Sequence, residues 1–83
     1  MSYDRQTAEI CSAVAQLTAL TGHEPRVIAE RGAVRVETDL TDALVIRWLH
    51  LLAVLDLGAT YGLRSADGHQ VAWLRFELRK TRP

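Results

Sequence analysis

Two rhythms of apolar and polar residues alternate along this chain, and each change of rhythm marks an element. Over residues 5–21, Ile10, Ala13, Val14, Leu17 and Leu20 recur at spacings of three and four, while Arg5, Glu9, Gln16 and Thr18 fall outside the stripe. That spacing predicts an amphipathic helix. Gly22 suits the position after its last turn, and Pro25 discourages continuation. In "RVIAERGAVRVET", residues 26–38, the rhythm shortens to two. Taking Arg31-Gly32 as a two-residue turn sets Val27 opposite Val36 and Ala29 opposite Val34 on one apolar face. Arg26 then faces Glu37, and Ile28 faces Arg35, on the other face.

The helical rhythm returns in "TDALVIRWLHLLAVLDLG", Thr41 to Gly58. Asp39 or Thr41 can cap this second helix, Asp42 sits near its positive end, and Gly58 stops it. The last segment, residues 57–79, alternates again on either side of Asp67-Gly68, a dipeptide suited to a type I′ hairpin turn. A two-residue loop there pairs Leu63 with Ala72, Tyr61 with Leu74, Ala59 with Phe76 and Leu57 with Leu78 on one face. The other face pairs Arg64 with Val71, Gly62 with Trp73 and Thr60 with Arg75. Slipping the register by one residue would destroy this segregation.

Helix, hairpin, helix, hairpin is an αββ unit twice over. It predicts a single α+β domain over residues 1–83, an αββαββ two-layer sandwich with a four-stranded antiparallel sheet and two helices on its apolar face. The order of the strands does not follow from these patterns. Residues 79–83, "RKTRP", extend past the last strand and are expected to fray as a basic tail.

The second helix is too apolar for this sandwich. At about 100° per residue, Leu44, Val45, Ile46, Trp48, Leu49, Leu51, Leu52, Ala53 and Leu55 cover roughly 220° of its circumference. Packing on a sheet needs an arc of about 100° or somewhat more. Only Ala43, Arg47, His50 and Val54 are left for a polar strip. Either the first helix covers the surplus, or it serves an interface centred on Trp48, Leu49, Leu52 and Ala53. With a two-fold axis, that interface would join the helix to its own copy.

Composition narrows the classes. A chain of 83 residues has room for one modest core. Cys11 is its sole cysteine, which excludes an intrachain disulfide framework. Ten basic residues balance ten acidic ones, which argues against binding dominated by phosphates. The preference for arginine over lysine, with abundant Ala, Leu and Val, suggests a GC-rich bacterial coding bias and carries no functional weight. Asp4 and Glu9 interrupt what a secretory signal would keep apolar, and Arg47, His50 and Asp56 disqualify residues 41–58 as a membrane span. A cytoplasmic protein is the expectation.

No residue pattern points to catalysis. His23, His50 and His69 do not share metal-ligand spacing, no carboxylate pair forms a motif, and no glycine-rich phosphate loop is present. Cys11 adjoins the core stripe of the first helix and is expected to be a buried or half-buried filler. The leading expectation is a non-enzymatic interaction module without cofactor or metal, a homodimer or a part of a larger assembly, associating through the second helix or by adding a strand to a sheet edge. An alternative uses the outer sheet face for nucleic acid, with Trp73 as a stacking surface and Arg35, Arg64 and Arg75 as phosphate contacts. Glu30, Glu37 and Glu77 dilute the charge of that face. A third possibility is a small-molecule pocket near Tyr61.

Overall fold

The computed structural model describes residues 2–78. In chain order it contains α1 (Ser2–Thr21), β1 (Arg26–Glu30), β2 (Ala33–Asp39), α2 (Asp42–Ile46), α3 (Trp48–Leu55), β3 (Thr60–Ala66) and β4 (His69–Glu77). The four strands form one antiparallel sheet in the order β1-β2-β4-β3. This is an α+β fold. The tail expected to fray, residues 79–83, lies outside the described residues.

Local chemistry explains the turns. Gly22 ends α1 with φ 80°, and its N–H reaches the Thr18 carbonyl at 2.8 Å. Only glycine adopts that left-handed conformation without penalty. Asp67 and Gly68 have φ 50° and 81°, so both central residues of the second hairpin have the positive values of a type I′ turn. Both hairpins have the register the alternation predicts, from Arg26–Glu37 to Ala29–Val34 and from Thr60–Arg75 to Leu63–Ala72.

Two predicted pairs are not formed. The ladder stops at Thr60, so Ala59–Phe76 and Leu57–Leu78 do not extend it. The Ala59 N–H donates to the carbonyl of Arg75, the residue that already pairs with Thr60. Two successive residues therefore address one partner and the register falls out of step.

The centre of the sheet joins the two hairpins, with Val34 beside Phe76, Val36 beside Leu74 and Thr38 beside Ala72. On that face the core gathers Val36, Ala72, Leu74 and Phe76 with Ala13 and Leu17 of α1, Leu44 of α2, and Leu51, Val54 and Leu55 of α3. Each fully buried leucine contributes about 1.5–3 kcal/mol over its exposed state.

The second helix departs from expectation by breaking at Arg47, with φ −102° and ψ 37°. The Arg47 N–H reaches the Leu44 carbonyl at 3.0 Å, and α3 begins with the Leu51 N–H on the Arg47 carbonyl. Consecutive β-branched Val45 and Ile46 weaken the helix just before this point. Thr41 caps α2, accepting the Leu44 N–H at 3.3 Å. Helix α3 ends at Leu55, before Gly58.

The expected polar strip is also wrong at one position. Val54 is buried, because α1 packs along that flank of α3. The first helix thus covers part of the surplus but leaves the opposite side open.

Candidate functional site: a braced charged face and a bare apolar one

The sheet turns its second face away from the helices, and there the side chains form a closed layer. Glu37, on β2, is only 1% exposed. Arg64 reaches it from β3 with two hydrogen bonds, Nη2 to Oε1 at 2.9 Å and Nε to Oε2 at 3.3 Å. Arg35 stands beside it, Nε at 3.0 Å from Oε2, although its N–H is not aimed to make a hydrogen bond. Arg26, the partner expected from the register, is more distant at 3.7 Å and lies closer to Asp39, at 3.1 Å.

A second knot lies toward the other end of the sheet. Glu30 receives Arg35 Nη1 at 3.1 Å and Arg75 Nε at 3.0 Å, and Arg75 also donates to Glu77 at 3.2 Å. Four arginines thus meet four carboxylates, those of Glu30, Glu37, Asp39 and Glu77. Ala33 and Val71, on this same face, are buried beneath these long side chains. Trp73 is half-buried and lies over Gly62, where an added Cβ would stand 3.0 Å from its Cζ2.

The residues named for nucleic-acid contact, Arg35, Arg64, Trp73 and Arg75, are therefore together on one face, but each is already engaged. Glu37 is the residue that sequence reasoning undervalued. Its one signal in the sequence is the hairpin register that sets it opposite Arg26; Trp73 beside it and Arg64 diagonally across come only with the β2–β4 pairing.

The helical side offers the opposite character. Ile46 is 84% exposed, Leu49 81% and Val45 52%. Ala53 is exposed and Trp48 and Leu52 are half-buried, Trp48 resting against the core. The four residues expected at an interface share α3, but in two rows. Leu51 and Leu55 point to the sheet, so the helical period aims Leu49 and Ala53 away from it. Trp48 and Leu52 occupy the flank opposite α1, while Ala53 also borders a shallow groove with Gln16, Ala19 and Leu20 of α1.

Other candidates are dispersed. Cys11 is exposed rather than buried, because it follows Ile10 on the helix and points away from the Ala13–Leu17 row. His69 Nε2 lies 3.4 Å from Asp39, His23 sits beside the Thr21 carbonyl, and His50 is exposed on α3. Among the described residues, no three His, Cys, Asp or Glu side chains converge as a metal site. Tyr61 stands exposed on β3. A polar cleft of about 300 Å³ lies elsewhere, between the end of α1 and the β1–β2 pair, and includes His23, Arg26, Glu37 and Asp39. Among the described residues, no helix is long and apolar enough to cross a membrane. Compared with protein-family models, with curated proteins and with solved structures, the chain shows no match.

Proposed function

We propose that this chain is a non-enzymatic association module that forms a homodimer through the apolar surface of α2 and α3. The observation that carries this reading is the exposure of Ile46 and Leu49, 84% and 81%, beside Val45, Trp48, Leu52 and Ala53. So many large apolar side chains exposed on neighbouring turns are uncommon on a monomer and mark an interaction surface. Covering a side chain the size of Leu49 removes it from water at a gain of about 1.5–3 kcal/mol, so a few such residues suffice to seed an interface. Trp48 supplies the aromatic anchor that interface centres favour.

The charged face supports the same reading by default. Among the described residues its arginines are paired with neighbouring carboxylates, which leaves little uncompensated positive charge there to recruit phosphates. The exposed lone thiol of Cys11 suits a reducing, cytoplasmic setting. Light scattering over a concentration series tests the proposal. The wild type is expected to dimerise, and Leu49→Glu is expected to stay folded and monomeric, since Leu49 contributes little to the core. A wild type that is monomeric at every concentration overturns it.

A further inference from the structure

We propose that the two copies join edge to edge through β3, each β3 pairing antiparallel with the other about a two-fold axis at Leu63 to make one eight-stranded sheet. This rests on the homodimer reading above and adds a strand contact to the helical one, with Trp48 and Leu52 at the seam and Leu49 at its outer rim.

Strand β3 lies at the edge of the sheet and pairs on one side only. The type I′ turn makes Ala66 and His69 a hydrogen-bonded pair, and the alternation of an antiparallel ladder then turns Thr60, Gly62 and Arg64 toward β4. Tyr61, Leu63 and Ser65 consequently direct their N–H and C=O groups outward, a template for another strand. Proteins usually guard such an edge with proline, lysine, a bulge or an inward charge. The sequence of β3, TYGLRSA, has no proline, lysine or acidic residue, its one charge, Arg64, is tied to Glu37, and the irregular pairing at Ala59 falls before Tyr61, Leu63 and Ser65.

The occupant that fits is a second copy. Leu63 is the midpoint of Thr60–Ala66, so an axis there pairs all seven residues and keeps each side chain on its own face. Arg64 then lies across from Gly62 of the other copy, and no like charges oppose. Tyr61 and Leu63, each 44% exposed on the helical face, gain apolar neighbours. On that face α3 packs near β3, and its flank opposite α1 carries Trp48 and Leu52, which would meet their symmetry mates as the second layer of the interface. The other edge is less suited. Strand β1 has five residues, follows Pro25, and ends in Arg26 and Glu30, both committed to ion pairs.

Three proteins test this: wild type, Leu63→Lys and Leu49→Glu, with molar mass by light scattering, folding by circular dichroism and amide exchange by NMR. Leu63→Lys places two ammonium groups against each other at the axis and is expected to give a folded monomer. In the wild type the amides of Tyr61, Leu63 and Ser65 are expected to exchange more slowly, by about tenfold or more, as concentration carries the chain into the dimer. If Leu63→Lys fails to fold, this exchange result decides alone. A Leu63→Lys dimer, or exchange at those amides independent of concentration, overturns the edge pairing. Should Leu49→Glu still abolish the dimer in that case, association through the helices survives without it. A monomeric wild type overturns both.

Discussion

Arg64 of β3 grips Glu37 of β2 across the full width of β4, at 2.9 and 3.3 Å. Strands that share no backbone hydrogen bond are thereby tied, and Val71 is covered on the way. A two-pronged guanidinium–carboxylate contact has fixed geometry and is stronger than a neutral hydrogen bond. Substituting Glu37→Ala leaves Arg35 and Arg64 without their shared acceptor. Removing one partner of a buried pair costs about 3–5 kcal/mol, but these arginines are a third to a half exposed and can turn to water, so the loss expected is about 1–3 kcal/mol. Urea denaturation measures it, and Glu37→Gln is expected to recover part.

Two glycines predict unequal costs. An added Cβ at Gly58 meets the Arg75 backbone, 3.0 Å from its oxygen and 3.1 Å from its nitrogen. At Gly62 it meets the ring of Trp73, also at 3.0 Å, which is a half-exposed side chain able to slide. Gly58→Ala is therefore expected to destabilise by about 1–3 kcal/mol and Gly62→Ala by less than half of that. Equal effects in thermal unfolding would contradict this account.

The two rows of α3 predict a sharp contrast between neighbours. Leu51 is fully buried and Leu49 is exposed. Leu51→Ala is expected to cost about 2–5 kcal/mol, and Leu49→Ala no more than about 0.5 kcal/mol when measured on dilute monomer. At high concentration Leu49→Ala should also weaken the dimer.

The cap of α2 is a smaller lever. Thr41 accepts the Leu44 N–H at 3.3 Å at an exposed site, so Thr41→Ala is expected to cost about 0.5–1 kcal/mol, the low end for a cap. Thr41→Ser should retain most of it, as equilibrium unfolding can show.

The parts of this fold that were legible in the sequence are the local ones. Both hairpin registers follow from period-two alternation and two short turns, and α1 from its Ile10–Leu20 stripe. What stayed hidden depends on residues far apart in the chain. Nothing along residues 41–58 reveals that α1 will lie against Val54, and the β-branched pair Val45–Ile46 weakens the helix without fixing its break at Arg47. The burial of Glu37 needs Arg64 to arrive from another hairpin, and the β2–β4 pairing that brings it there is not encoded in either hairpin alone. Of the proposed interface, the surplus of apolar residues was visible, but its division into a row facing outward and a flank beside β3 was not.

The seam between β2 and β4 has a consequence in time. Each hairpin closes a two-residue loop and can form early, on the scale of microseconds, whereas Val36 and Leu74 must find each other from distant parts of the chain. Folding is then expected to be paced by the meeting of the two hairpins. Truncating Val36 or Leu74 is expected to slow refolding, while weakening either turn residue chiefly shifts the pre-equilibrium that precedes that meeting. The strand order β1-β2-β4-β3, which reads as static architecture, is on this view also the record of which contact had to come last.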